Sequence, residues 1–314
     1  MAPTEPRASA PFVQACGEAL VDLVASPSGS VDAVVGGSVF TTSRALGRLE
    51  VPVAYAGAVS TDRFGAQMCD ALVADGVMVD WVRRVQAPTT LALAEVDDTG
   101  AAAYRFYIDG TSAPIGVGVL DVIAPVLFTG GLGLVLEPMA TDVAAAITSA
   151  AIAGRAVMVD VNARPALISD PDAFRQRVNA LISSCWVVKV SDDDLAILAP
   201  GIDAVTAARA LIARGAQAVL LTRGADRVGV HTADGTAEID VPAVPVIDTI
   251  GAGDTFDAGF LSWWYRHHPS GPTPQPDIDD LCAASRAGIA AAAVTVGRRG
   301  ADPPRHGEID MDEQ

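Results

Sequence analysis

Short, continuously apolar runs rich in β-branched residues recur along this chain, and stretches of alanine-rich helical period separate them. The runs at 51–56, 126–129, 156–161, 186–190, 218–222 and 228–231 read as strands. The stretches at 43–49, 65–74, 140–153, 172–181 and 204–214 read as helices. A strand apolar on both faces must be covered on both faces. The expected fold is therefore α/β: a mostly parallel sheet with helices on either side.

Two regions break that rhythm. Residues 21–35 and 89–110 alternate, with Tyr104, Phe106 and Ile108 set against Arg105, Tyr107 and Asp109. Period two marks a half-exposed antiparallel sheet, so these regions are expected to form one small β lid beside the main body. A single domain over 12–304 followed by a polar tail at 305–314 accounts for the rest.

Charge narrows the function classes. With 21 basic and 38 acidic side chains the formal balance is −17, a field that repels nucleic acid and anionic lipid. No apolar stretch reaches the length of a membrane span, and the N-terminus lacks the basic and apolar regions of a signal peptide. Cys16, Cys69, Cys185 and Cys282 show no metal or CxxC spacing. These features imply a soluble, cytoplasmic protein with reduced thiols. Lys189 is the sole lysine, either by chance or because it does a specific job.

The segment Asp248-Thr249-Ile250-Gly251-Ala252-Gly253-Asp254-Thr255-Phe256 carries the chemistry. A strand over 244–247 is expected before it. A helix is expected after it, with Phe256, Phe260, Trp263 and His267 on one buried face. The turn between them has almost no side chains. It lets backbone approach a ligand, and the unpaired N–H groups of the helix start make an anion site there. A carboxylate on the same turn, Asp254, suits a general base that deprotonates a hydroxyl while the amides of Gly251, Ala252 and Gly253 stabilise a phosphoryl group. Two rivals exist. An Asp at a helix start is often only a cap. A dinucleotide turn would need a third glycine where Phe256 stands, and no GxxxxGK[ST] loop occurs.

The segment resembles the C-terminal signature of the ribokinase-like (PfkB) carbohydrate kinases, DTxGAGD-F, and the likeness extends over most of the chain. Gly17 to Asp22 is similar to the family's first strand, Gly36-Gly37 to its glycine pair, Gly57 to Gly65 to its GxVGxDxxG segment, and Gly300 to Pro303 to its closing loop. The resemblance implies a single Rossmann-like (ribokinase-like) α/β domain with a β lid, Mg-ATP as phosphate donor, Asp254 as base, and Asp22, Gly36, Gly37, Thr41 and Arg164 on the sugar. It also implies Ser191, Thr222, Gly224, Gly251 and Gly253 on ATP. Asp194 stands in a KxNxxE-like segment, which implies contact with Mg²⁺ through water, and Asp248 with Ile250 implies a monovalent cation such as K⁺. A homodimer through the lid is a further implication.

The acceptor is less constrained. Asp160 to Pro165 is similar to the DxNxRP segment of fructokinases and 2-keto-3-deoxygluconate kinases, and Gly131 to Pro138 to a fructokinase-like segment. Ile108 follows Phe106-Tyr107 where acid-sugar kinases carry an arginine, and an apolar side chain cannot pair a carboxylate. The expected acceptor is a neutral ketohexose such as fructose. The alternatives are a sugar acid, a nucleoside, and a non-catalytic ligand-binding protein. Arg164 could meet a sugar carboxylate, steady phosphates, or merely pair with Asp160 or Asp170 at the surface.

Overall fold

The computed structural model describes residues 10–25, 29–96 and 102–309. The lid turns at 26–28 and 97–101 and the tail beyond 309 lie outside the described residues. In chain order the strands are β1 (Val13–Cys16), β2 (Leu20–Ala25), β3 (Val31–Gly36), β4 (Val53–Ser60), β5 (Val82–Val85), β6 (Leu91–Val96), β7 (Ala102–Tyr107), β8 (Val126–Gly130), β9 (Ala156–Asp160), β10 (Val187–Ser191), β11 (Ala218–Thr222), β12 (Arg227–Thr232) and β13 (Thr236–Asp240). The helices are α1 (Ser38–Arg48), α2 (Arg63–Ala74), α3 (Met139–Ile152), α4 (Pro171–Leu181), α5 (Asp192–Leu198), α6 (Ala204–Ala213), α7 (Ala252–His267) and α8 (Ile278–Val296).

Nine of these strands form the main sheet, in the order β13-β12-β11-β10-β9-β8-β1-β4-β5. Pairing is parallel from β5 to β11, and β12 and β13 add an antiparallel edge. Alternate strand residues feed two cores. Ala15, Val187 and Leu220 pack with α1, α7 and α8, while Val188, Val190 and Leu221 pack with α3, α4 and α6. That two-sided demand is why these strands are continuously apolar. From β1 the chain winds one way through β4 and β5, then the other way through β8 to β11. The order therefore reverses between β1 and β8, and ligands of open α/β sheets bind in the crevice outside such a reversal.

The lid is the separate sheet β3-β2-β6-β7. It differs from the expected antiparallel pattern in one joint: β2 and β6 run parallel, joining two antiparallel pairs. Two local expectations also fail. Residues 244–247 form no strand: Val244, Val246 and Ile247 are exposed, and the Ile247 amide donates to the Val296 carbonyl of α8 at 2.7 Å rather than to a strand. His267 is exposed at the last turn of α7, where its ring stacks on Trp263 at 4.1 Å.

Candidate active site

A cleft of about 910 Å³ opens where the sheet reverses, between the lid and the start of α7. Its walls bring together Asp22, Gly36, Gly37, Thr41, Arg164, Asp248, Ile250, Gly251, Gly253 and Asp254 from across the chain. Ala252, Ser191, Asp194, Thr222 and Gly224 lie outside that lining.

The anion end is set by backbone shape. Gly251 caps α7 in the left-handed region at φ 77°, and a side chain there would come within 2.7 Å of the Ala301 Cβ. Only glycine meets both demands. The Ala252 N–H is taken by the Thr249 carbonyl at 3.2 Å and so is not free for an anion; Gly253 and Asp254 follow it on the first turn of α7, where amides have no intrahelical partner. Asp248 ties this turn to the closing loop: Oδ1 accepts from the Ile250 amide at 3.0 Å and Oδ2 from the Gly300 amide at 2.8 Å.

Lys189 anchors the same turn from below. Its buried Nζ donates to Asp160 Oδ2 at 2.8 Å, to Asp257 Oδ2 at 3.0 Å and to the Gly253 carbonyl at 3.2 Å. Burial alone would lower its pKa, but the two carboxylates outweigh it and hold the ammonium above its ordinary range. The sole lysine is thus a charged support beneath the helix start.

Asp254 is half-buried on the first turn of α7, and its Oδ1 accepts from the Ser38 hydroxyl at 2.7 Å. Burial pushes its carboxyl up to about 6, against the Ser38 hydrogen bond and the charge of Lys189. A carboxylate near that value is ionised at neutral pH and more basic than an ordinary aspartate, as proton abstraction from a hydroxyl requires.

At the sugar end, Asp22 projects from β2 and is pushed up to about 6 by burial, with Arg164 pulling the other way. A Cβ on Gly36 would fall 2.5 Å from Asp22 Oδ2, and one on Gly37 (φ 109°) would fall 2.9 Å from the Glu18 carbonyl. The glycine pair therefore makes room for the carboxylate and for the bend into α1. Thr41, buried on α1, places its methyl group toward Gly251. Arg164 is exposed and donates to Asn162 Oδ1 at 2.5 Å. Asp160 engages Lys189 and Asp170 caps α4, so neither forms the surface pair with Arg164 that the sequence left open.

On the far side, Ser191 ends β10 beside Thr222 of β11, and Gly224 turns in the left-handed region at φ 53°. Asp194 is buried: Oδ2 accepts from the Ser191 amide and hydroxyl, both at 2.7 Å, and Oδ1 from the Ala163 amide at 2.7 Å. It closes a capping box on α5 and pins the loop that carries Arg164. Among the described residues, no three His, Cys, Asp or Glu side chains gather to hold a metal.

Three residues of the cleft had been given no role: Glu18 and Asn162, which stand inside quoted motifs, and Ser38, which stands in none. Glu18 is buried, accepts the Ser38 amide at 2.9 Å, and is pushed up to about 7 by burial. Asn162 has φ 36° and donates to the Ser38 hydroxyl at 2.8 Å. Glu18 and Asn162 are polar residues beside apolar strands, which is the one signal that could have flagged them.

The pfkB family carbohydrate kinases match this chain over residues 12–306. A fructokinase of Rhizobium leguminosarum bv. trifolii is 30% identical over 259 residues, covering 80% of this chain and 79% of that protein. The structure of a fructokinase from Xylella fastidiosa with bound ATP superposes with a TM-score of 0.80 at 25% identity, covering 95% of this chain and 94% of that one. A double-mutant Vibrio cholerae fructokinase in its fructose-, ADP- and potassium-bound form gives 0.81 at 22%, covering 92% and 93%. Among the described residues no helix is long and apolar enough to cross a membrane.

Proposed function

The chain belongs to the pfkB family of carbohydrate kinases, and from that premise we propose that it phosphorylates a neutral ketohexose such as fructose with Asp254 as general base. It is an ATP-dependent sugar kinase. The observation that carries the choice of sugar is the charge of the sugar end. Asp22 and Asp32 line it, together with Glu18, whose carboxyl burial pushes up to about 7; of the two arginines that line the cleft, Arg164 is already committed to Asn162 and Arg299 adjoins Gly300 of the closing loop. Carboxylates accept hydrogen bonds from sugar hydroxyls, whereas they repel the carboxylate of a sugar acid. Ile108 lies outside the cleft lining and adds no compensating charge.

In this reading a sugar hydroxyl loses its proton to Asp254 as its oxygen attacks the γ-phosphorus of ATP, and ADP leaves. The Gly253 and Asp254 amides and the positive end of the α7 dipole meet the transferring charge. Lys189, held beneath Gly253, fixes their position. Mg²⁺ would be held chiefly by phosphate oxygens and water, and when bound it would neutralise the phosphate charge. Asp194, already engaged by three protein donors, could reach it only through water. Ser191, Thr222 and Gly224 would border the nucleotide, and Asp248 with the Ile250 carbonyl would hold K⁺. The reading extends to one kinase domain over 12–304, a cytoplasmic setting, and a homodimer through the lid strands, which carry exposed Val31 and Tyr107.

An acceptor screen at fixed Mg-ATP over fructose, ribose, 2-keto-3-deoxygluconate and adenosine tests the choice. Fructose should give the highest kcat/KM. A preference for the sugar acid would overturn the charge argument and return Arg164 to a carboxylate-binding role.

A further inference from the structure

Four side chains from distant parts of the chain form a line of hydrogen bonds that ends on Asp254. Arg164 Nη1 donates to Asn162 Oδ1 at 2.5 Å, Asn162 Nδ2 donates to Ser38 Oγ at 2.8 Å, and Ser38 Oγ donates to Asp254 Oδ1 at 2.7 Å. The direction of each bond is dictated. A guanidinium can only donate, so the Asn162 amide must turn its oxygen to Arg164 and its nitrogen to Ser38. That nitrogen can only donate as well. Ser38 Oγ therefore accepts from Asn162, and its own hydrogen is left for the carboxylate. Donors all run one way, from a positive end to a negative one, an arrangement in which each bond polarises the next.

Neither of the two middle members of the line is explained by packing. Ser38 opens α1, but its hydroxyl caps no helix amide; the cap position is Gly37. Its backbone N–H is fixed separately by Glu18 Oε1 at 2.9 Å. Asn162 holds φ 36°, a backbone state that costs free energy for a non-glycine residue and persists where surroundings over-determine it. From that backbone its amide nitrogen reaches Ser38 Oγ.

We propose that Ser38 is a positioning residue for Asp254, held by Asn162 and Arg164, which keeps Oδ1 occupied and presents Oδ2 to the sugar hydroxyl. The inference rests on the reading of Asp254 as base. The pinned oxygen stops the carboxylate from rotating, so a bound sugar meets one acceptor in one orientation. The donated hydrogen also favours the charged form of Asp254, against burial and the nearby carboxylates of Asp160 and Glu18, and alongside the cations Lys189 and Arg164. Arg164 then acts through the base rather than on phosphate or substrate.

The test is steady-state kinetics of Ser38→Ala, Ser38→Thr, Arg164→Ala and Asp254→Asn, with the pH profile of kcat and a Ser38→Ala/Asp254→Asn double variant. Ser38→Ala should lower kcat about tenfold, the scale of one hydrogen bond to a charged group, with the KM of sugar and ATP moving less than about twofold. Its acid limb should shift to higher pH, because the carboxylate loses a donor. Ser38→Thr should restore both, and Arg164→Ala should move both the same way by about threefold or less. In the Asp254→Asn background, Ser38→Ala should cost nothing further. An unchanged kcat and acid limb in Ser38→Ala, or an equal loss with and without Asp254, overturns the proposal. If Ser38→Ala does not fold, Arg164→Ala decides: its side chain is exposed, and an effect confined to the KM of ATP or sugar counts against the line. More than about a tenth of kcat surviving in Asp254→Asn overturns the base reading itself, and the inference with it, whatever the Ser38 variants do.

Discussion

The two ends of the cleft are built differently. The anion end is backbone: a helix start held in the left-handed region by Gly251 and braced from below by a buried ammonium and two carboxylates. The sugar end is side chains carried by a thin sheet, in which Val31 is 54% exposed, whereas Val187 of the main sheet is 0% exposed. In the proposed reading, chemistry common to every acceptor belongs to the core, and recognition of one acceptor to strands where substitution costs little stability. If that division holds, damage at the anion end should appear in kcat or folding, and damage at the lid in the KM of the sugar.

The largest effect is expected at Asp254. Asp254→Asn keeps the shape and the Ser38 contact but removes basicity, so kcat should fall by about 10²–10⁴ while ATP still binds. In the wild-type enzyme kcat should rise through about pH 6 and level off above it, since burial places the carboxyl there and only its ionised form accepts a proton. Stopped-flow or coupled-assay rates against pH check both. A loss carried by the KM of the sugar instead would break the division at its strongest point.

Next comes Lys189→Met, read by thermal or denaturant unfolding. The variant leaves Asp160 and Asp257 buried without their cation, and breaking such a pair from one side costs about 3–5 kcal/mol. The brace on the Gly253 carbonyl goes with it. A variant as stable as the wild type would show the cluster to be incidental to the anion end.

What the sequence discloses follows the same division. The strands of the main sheet and the turn at Gly251–Asp254 are local features, set by apolar runs and by residues without side chains, and they can be read in order along the chain. The run at 244–247 misleads for the same reason: its β-branched residues state a preference, but among the described residues no strand pairs with it and the Ile247 amide goes to the end of α8 instead. Ser38 lies 216 residues from Asp254 and 124 from Asn162, and no spacing rule joins them. Lys189 stood out only by being alone; its partners come from β9 and α7. Asp194 shows the converse, a carboxylate in a motif-like position whose oxygens the fold has already engaged.

The smallest effect is expected at the lid, and it separates the two ends most sharply. Asp22→Asn keeps an acceptor oxygen and removes the charge that strengthens its bonds to sugar hydroxyls. The KM for fructose should rise about tenfold, with the KM for ATP, kcat and the unfolding midpoint nearly unchanged. Asp22 and Asp254 are both pushed up to about 6 by burial, so the wild-type enzyme has two groups titrating in one window. They should report in different constants. As pH falls through about 6, protonation of Asp22 weakens sugar binding and raises KM, while protonation of Asp254 removes the base and lowers kcat. In Asp22→Asn the rise in KM should vanish and the fall in kcat should remain. If the variant instead flattens kcat and leaves the KM profile intact, the lid takes part in the chemistry and the cleft does not divide as its construction suggests.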